Sequence, residues 1–211
     1  MNKFFKVVLN LIYPCRCAFC KKVIPMDSLT CDECREKVKD VNTIKTFLGN
    51  SYCVSPFPYK DIYKQPVKNL KYGKNKYYAE TMAYYIVASI RENYDVSMFD
   101  CVTAVPQTKK QLRKRGYNHA EQLGRNVAEL LKIPYVECLL KIKENQYQHT
   151  LKRDLRQANV QGVFEIADKE IKGKNILLID DVTTTGSTLR ECSKMLIKNK
   201  NEVYCGTFCK A

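Results

Sequence analysis

No apolar stretch in this 211-residue sequence approaches the roughly 18–20 residues that a membrane-spanning helix needs, which argues against helical spans. Acidic residues are scarce, 22 Asp and Glu against 36 Lys and Arg, and the net charge of +14 favours an anionic partner over a cationic one. Lysines outnumber arginines 27 to 9 beside abundant Asn and Ile, as an AT-rich genome produces, so charge alone does not establish nucleic-acid binding. Internal repeats and low-complexity segments are missing. With 45% hydrophobic and 27% charged residues the composition is globular rather than disordered. The length suits one well-buried domain with a small appendage. Histidine is rare as well: neither His119 nor His149 has a metal-ligand neighbour at helical spacing, so neither is assigned to a metal.

Cysteine is abundant, with 11 residues, five of them within residues 15–34 and the other six scattered singly. A disulfide framework would spread them in pairs and would call for a secretory signal. The N-terminal residues imitate such a signal, but Lys6 interrupts the apolar stretch and no small-residue cleavage site follows. Tyr13-Pro14 before Cys15 is too bulky for a lipoprotein signal. Phe4, Phe5, Val8, Leu9 and Ile12 recur at helical spacing, so this segment reads as a short amphipathic helix packed on the domain, membrane contact being the less favoured alternative. The expectation is a cytoplasmic protein with reduced thiols.

Cys17-Ala-Phe-Cys20 and Cys31-Asp-Glu-Cys34 are two C-x-x-C pairs ten residues apart. Two such pairs suit a tetrahedral zinc ion, because each tight turn supplies two thiolates. A segment of about 25 residues is too short to bury a core of its own, so the metal would supply its folding energy. Four thiolates leave no open position for water, which makes the ion structural. A redox pair or incidental cysteines are the alternatives, and Cys15 could replace Cys17 as the fourth ligand.

Past the cysteines, residues 51–76 read as β-prone and turn-rich, with six lysines and one acid between 60 and 76. The boundary is placed near Gly49–Asn50, giving an N-terminal helix and zinc module over 1–49 and a second domain over 50–211. Residues 77–91 show a helical apolar face, CVTAVP reads as a buried strand ending at a proline, and QTKKQLRKRGYN as a basic loop. Ala120, Leu123, Val127, Leu130 and Leu131 mark a helix; Ile176 to Ile179 a strand; Leu189, Cys192, Leu196 and Ile197 a further helix; VYCGTFC a last strand. The alternation predicts an α/β domain with a mainly parallel sheet, whose ligands bind beyond the carboxyl ends of its strands. Cys192 and Cys205 fall on apolar patterns and read as core.

The most informative segment is NILLIDDVTTTGSTLR, residues 175–190. Its apolar strand ends at Asp180 and Asp181, and Thr184, Thr185, Gly186, Ser187 and Thr188 turn directly into a helix. Gly186 permits close backbone approach, while hydroxyls and free N–H groups at a helix start cradle a phosphate. Two carboxylates repel that phosphate, so they must serve another part of the ligand. Vicinal sugar hydroxyls fit, and a phosphorylated ribose satisfies both halves. An ordinary strand–turn–helix with a Thr or Ser cap leaves the paired acids unexplained.

ILLIDDVTTTGST resembles the 5-phosphoribosyl-1-pyrophosphate (PRPP) motif of type I phosphoribosyltransferases. The whole chain, including KNLKYGKNKYYA, VPQTKKQLRKRGYNHAEQLGRNVA and QHTLKRDLRQANVQGVF in that order, is similar to the ComF/ComFC competence-protein family. The resemblance implies a Rossmann-like phosphoribosyltransferase domain preceded by a small zinc-ribbon-like module. It implies that Asp180 and Asp181 hold the ribose hydroxyls and that Thr184, Thr185, Gly186, Ser187 and Thr188 bind the 5-phosphate. Pro106, Gln107 and Thr108, after Val105, would lie at the pyrophosphate. Magnesium would bridge pyrophosphate and ribose hydroxyls. Residues 148–164 would form a hood that closes over the site, Arg153 and Arg156 contacting phosphate and His149 the substrate. If transfer occurs, Asp180 and Asp181 would stabilise an oxocarbenium-like ribose carbon as pyrophosphate leaves.

Lys109, Lys110, Arg113, Lys114 and Arg115 place five positive charges in seven residues. A solvated basic loop and partial pyrophosphate neutralisation are the plainer readings. The sharper one is a single-stranded DNA track, with Tyr117 and the tyrosines Tyr72, Tyr77 and Tyr78 as stacking platforms. The family's tie to DNA uptake in natural transformation adds uptake-machinery proteins as partners. The expectation is therefore a PRPP-binding, ComF-type protein of DNA uptake that contacts single-stranded DNA. The alternative is an active phosphoribosyltransferase with an unidentified acceptor outside DNA uptake. A zinc finger that only binds nucleic acid leaves Asp180 and Asp181 without a role.

Overall fold

The apolar runs that the sequence marks as strands form the middle of one mixed sheet. The computed structural model describes residues 14–26, 28–38, 41, 43–49, 51–72, 77–143 and 162–211. In chain order the elements are α1 (Asp32–Val38), β1 (Ile44–Phe47), β2 (Tyr52–Ser55), β3 (Phe57–Pro58), α2 (Lys64–Tyr72) and α3 (Tyr77–Asn93). They continue with β4 (Cys101–Ala104), α4 (Lys109–Arg115), α5 (His119–Leu131), β5 (Leu139–Lys141) and β6 (Phe164–Ile166). The chain closes with β7 (Asn175–Thr183), α6 (Ser187–Lys198) and β8 (Glu202–Lys210).

The sheet runs β1-β2-β8-β7-β4, with β3 also on β8. Among the described strands of this sheet β1 and β2 pair antiparallel, while β2, β3, β7 and β4 join their neighbours in parallel. The α/β class and the mainly parallel sheet are as the sequence predicts. β1 lies on the N-terminal side of the 49/50 boundary yet pairs with β2. β5 and β6 form a separate antiparallel pair.

Period-two alternation sends Leu177 and Ile179 into one core and Ile176 and Leu178 into the other. The first core holds α3 and α5 and also takes in Cys17, Ala18, Phe19 and Cys34 of the cysteine module. The second holds Leu189, Cys192 and Leu196 of α6, together with Cys205. Phe19 is the wedge between module and domain, its ring 5.9 Å from that of Tyr85 and 6.5 Å from that of Phe208, a geometry that adds to its area burial.

Two segments differ from the sequence reading. Residues 64–72, within the stretch expected to be β-prone and turn-rich, form α2: Val67 and Leu70 bury one face, and Pro66 sits in the first turn, where its missing N–H costs nothing. Residues 109–115, expected as a basic loop, form α4. A capping box starts it, Thr108 accepting from the Gln111 N–H and Gln111 accepting from the Thr108 N–H, and Gly116 ends it in the left-handed conformation. No described helix is long and apolar enough to cross a membrane.

Candidate metal centre and ligand pocket

The sulfurs of Cys17, Cys20, Cys31 and Cys34 all lie within 4.8 Å of one another, and those of Cys20 and Cys31 are 3.5 Å apart. A tetrahedron with metal–sulfur bonds of about 2.3 Å spaces its corners by about 3.8 Å, so the set fits a four-coordinate ion such as zinc. It is Cys17, not Cys15, whose sulfur joins the other three. The first pair sits on a tight turn closed by the Cys17 N–H to the Lys22 carbonyl (2.8 Å) and the Lys21 N–H to the Cys17 carbonyl (2.9 Å). The second pair straddles the start of α1, where the Arg35 N–H bonds the Cys31 carbonyl.

The second cluster lies at the carboxyl end of the sheet. β4 stops at Ala104, level with Ile179, while β7 runs on through Asp180 and Asp181, so the acids project beyond their neighbour. The Val105 N–H bonds the Ile179 carbonyl at 3.0 Å and holds the following loop, with Pro106, Gln107 and Thr108, alongside them. A cavity of about 200 Å³ opens here, lined by Lys71, Gln107, His119, Lys141, Asp180 and Asp181 among others.

Asp181 is 4% exposed. Its Oδ1 accepts from the Val182 N–H at 2.9 Å, while Oδ2 lies 2.7 Å from Lys71 Nζ and 3.8 Å from His119 Nε2. Gln107 Nε2 meets His119 Nδ1 at 2.6 Å. With that amide donating, the neutral ring carries its proton on Nε2, the nitrogen facing Asp181. Burial pushes the Asp181 carboxyl up, but the Lys71 ammonium and then the His119 ring overcome it and hold it below its ordinary value. Asp180 goes the other way: burial first, and then the Asp181 charge, raise it to about 8. The pair thus holds one proton at neutral pH, Asp180 able to donate and accept, Asp181 only to accept.

Beyond Asp180 a smaller hollow of about 30 Å³ is lined by Thr183, Thr184, Gly186, Ser187 and Thr188. Gly186 caps α6 at φ 73°, and a Cβ there would stand 2.5 Å from Leu48 Cδ2, so only glycine fits. Ser187 donates its N–H to Thr185 Oγ1, and Arg190 donates to the Thr185 carbonyl and the Phe47 carbonyl, which pins the turn. The start of α6, whose Gly186 cap supplies no side-chain acceptor, borders the hollow, an arrangement suited to an anion.

The structure therefore gathers Asp180, Asp181, Pro106, Gln107, Thr184, Gly186, Ser187 and Thr188 around adjoining hollows, while Thr185 lines neither and engages Ser187 through its hydroxyl. Thr108 is buried as the cap of α4. Lys109, Lys110, Arg113 and Lys114 are exposed along α4. The Arg115 side chain, Arg153, Arg156, His149 and the Phe4 to Ile12 face lie outside the described residues. Tyr117 is half-buried and its hydroxyl donates to the Leu70 carbonyl. The stacking platforms need one correction: Tyr78 is 7% exposed beneath the cysteine module, so it offers no ring face. Tyr77 donates its hydroxyl to the Ser28 carbonyl, and Tyr72, 80% exposed, is the open ring of the three.

Lys71, His119 and Lys141 are pocket residues to which sequence reasoning assigns no role in ligand binding. Lys71 belongs to KNLKYG and His119 to RGYNH, both within stretches that carry the resemblance; only their convergence on Asp181 shows what they do. A further groove of about 680 Å³ shares Pro106, Gln107 and Lys141 with the acid cavity and has an apolar wall of Tyr135, Leu139 and Leu140.

No family model matches the chain. It is 29% identical over 138 residues to Competence protein F of Haemophilus influenzae, across 63% of this chain and 60% of that protein. It is 22% identical over 187 residues to DNA utilization protein YhgH of Escherichia coli K12, across 87% and 78%. It is 24% identical over 154 residues to Competence protein ComFC of Bacillus subtilis, across 73% and 61%. The matched regions thus span less than two thirds of the Haemophilus and Bacillus proteins. Among solved structures, adenine phosphoribosyltransferase of Thermoanaerobacter pseudethanolicus is similar with a TM-score of 0.43 and 15% identity, over 83% of this chain and 99% of that one. Similarity to proteins named for competence and DNA utilization, along 63–87% of this chain, is what the motifs led one to expect of a chain that resembles the ComF family.

Proposed function

We propose that this protein binds PRPP with magnesium at the strand-end pocket and acts on DNA in uptake or utilization, contacting single-stranded DNA along α4. The observation that carries the reading is the adjacency of two hollows, one walled by an acid pair and one by a helix N-terminus with Thr and Ser hydroxyls. A sugar bearing a phosphate needs both. Asp180 and Asp181 take the ribose hydroxyls, the Thr184 to Thr188 turn the 5-phosphate, and Pro106, Gln107 and Thr108 border the pyrophosphate. Magnesium, when bound with the ligand, neutralises pyrophosphate charge. The Cys17, Cys20, Cys31 and Cys34 set holds a structural zinc. The DNA role follows the names of the relatives, Competence protein F and DNA utilization protein YhgH, and is supported by the exposed lysines and arginine of α4.

Transfer of ribose 5-phosphate is the second reading, favoured by the apolar-walled groove that shares Gln107 and Lys141 with the acid cavity. In that reaction the bond from the ribose carbon to pyrophosphate breaks, and a bond from the same carbon to an acceptor forms. Titration calorimetry of PRPP and magnesium, with and without a short single-stranded oligonucleotide, separates the two. Coupling between PRPP and oligonucleotide, equal in both directions, supports the DNA-handling reading. Binding of PRPP that ignores DNA favours the transferase, and absence of PRPP binding removes both.

A further inference from the structure

We propose that Lys71 is the pocket's internal counter-cation: it neutralises Asp181 while the site is empty and yields that place to the divalent ion that arrives with a pyrophosphate ligand, turning its ammonium to the ligand's anionic oxygens. This rests on the reading of the pocket given above and adds how the site is regulated. Asp181 is buried, and a buried carboxylate requires a partner charge. Its Oδ1 is occupied by the Val182 N–H, so Oδ2 is the oxygen it can offer to the cavity. Lys71 already holds that oxygen at 2.7 Å. A second cation at that oxygen would stand within a few ångströms of the ammonium and be repelled by it, like charges at close range in a partly buried site being poorly screened. A divalent ion therefore enters only as the ammonium leaves.

What moves is the side chain and not the helix. α2 is tied to the cysteine module by Asn69 Nδ2, which donates to the Ala18 carbonyl at 3.1 Å between Cys17 and Cys20. Its last turn is held from the other side by the Tyr117 hydroxyl on the Leu70 carbonyl. Val67 and Leu70 are buried. The backbone at 71 is thus fixed between module and domain, while the lysine stem, 28% exposed, keeps four rotatable carbons at the cavity mouth. The module's link to the pocket is this helix: it sets where the ammonium can reach.

The probes are Mn²⁺ alone and Mn²⁺ with inorganic pyrophosphate, read by electron paramagnetic resonance on the full zinc-loaded chain; thiolate ligands disfavour Mn²⁺. Lys71→Met is expected to bind free Mn²⁺ about tenfold more tightly than the wild type, and Mn²⁺ with pyrophosphate about tenfold more weakly. Lys71→Arg is expected to keep the wild-type exclusion of free Mn²⁺. An unchanged or weaker affinity of Lys71→Met for free Mn²⁺ overturns the proposal. Should that variant not fold, the wild-type Lys71 ¹⁵N side-chain resonance decides: it shifts on adding Mg²⁺ with pyrophosphate, and a resonance that stays at its ligand-free position overturns the exchange. Neither probe contains ribose, so a wild type that binds no PRPP defeats the ligand reading and leaves the Mn²⁺ result to judge Lys71 by itself.

Discussion

The two functional clusters are built in opposite ways. The cysteine set takes all four sulfurs from residues 17–34, out of two short turns, and its members are chemically alike. The acid pocket draws unlike groups from five separate places: Lys71 from α2, Gln107 from the loop after β4, His119 from the start of α5, Lys141 from β5, and Asp180 and Asp181 from the end of β7. A metal ion can organise the first locally, because thiolates from nearby turns need only a centre to converge on. The second exists only once the sheet has formed, since register puts Asp180 beyond Ala104. One site makes its fold; the other is made by the fold.

Breaking the first should therefore cost the most. Chelating the metal, or Cys20→Ser with Cys34→Ser, is expected to unfold the module and to strip Phe19 from its place against Tyr85 and Phe208. Losing a buried aromatic of that kind costs about 3–5 kcal/mol, and the metal's own contribution adds to it. Metal analysis should find about one zinc per chain, and thermal unfolding should show an early loss of the module before the α/β core. A chain that carries no zinc and melts unchanged in chelator would reduce the tetrad to four ordinary thiols.

Breaking the second should spare the fold and cost binding. Asp180→Asn with Asp181→Asn removes the negative charge and replaces one acceptor oxygen of each acid by a donor NH₂, and is expected to weaken PRPP by several kcal/mol, about a hundredfold or more in calorimetry. Asp181→Asn alone also strands the Lys71 ammonium, so its thermal stability should fall more than that of Asp180→Asn. An affinity for PRPP that survives the double change places the ribose elsewhere.

The same contrast governs what the sequence discloses. The cysteine set is visible because its whole specification, spacing and ligand type, lies in one short segment. The β7 strand is visible because four consecutive apolar residues run into two acids and a Thr-Gly turn. Lys71 is hidden: nothing in KNLKYG says which carboxylate it will meet, and that pairing depends on how α2 docks under the cysteine module. α2 itself is hard to read because its buried face is only about one turn wide and Pro66 suggests a break. α4 is obscured by its own charges, although Thr108 and Gln111 at capping-box spacing carry the signal for a helix start.

A weaker effect is expected on the α4 surface, which belongs to neither cluster but borders the groove beside the acid pocket through Lys109 and Lys110. Changing Lys109, Lys110, Arg113, Lys114 and Arg115 to Gln should flatten the salt dependence of single-strand binding, by about 0.7 in log–log slope for each phosphate no longer neutralised. Fluorescence anisotropy across a salt series measures it. A slope equal to that of the wild type means that DNA runs along another face.

The smallest expected effect separates the two acids from each other. Asp180 is raised to about 8 from an ordinary 3.8, so between those values the folded chain keeps a proton that the unfolded chain releases. Its contribution to stability is full below about 4 and is lost as the pH rises through about 8. Asp181, held below its ordinary value by Lys71 after burial is overcome, contributes above that value and loses its contribution on acidification. Asp180→Asn should consequently gain on the wild type as pH rises from about 4 to about 8, then level off. The expected result is the interval over which the difference between the two proteins keeps growing, from about 4 to about 8, because burial and the Asp181 charge hold the proton on Asp180 across it. Denaturant melts of both proteins in the absence of ligand give the difference curve. A curve already flat above pH 5 would mean that Asp180 is an ordinary carboxylate and that the pair shares no proton, leaving the Lys71 ammonium to face two negative charges instead of one.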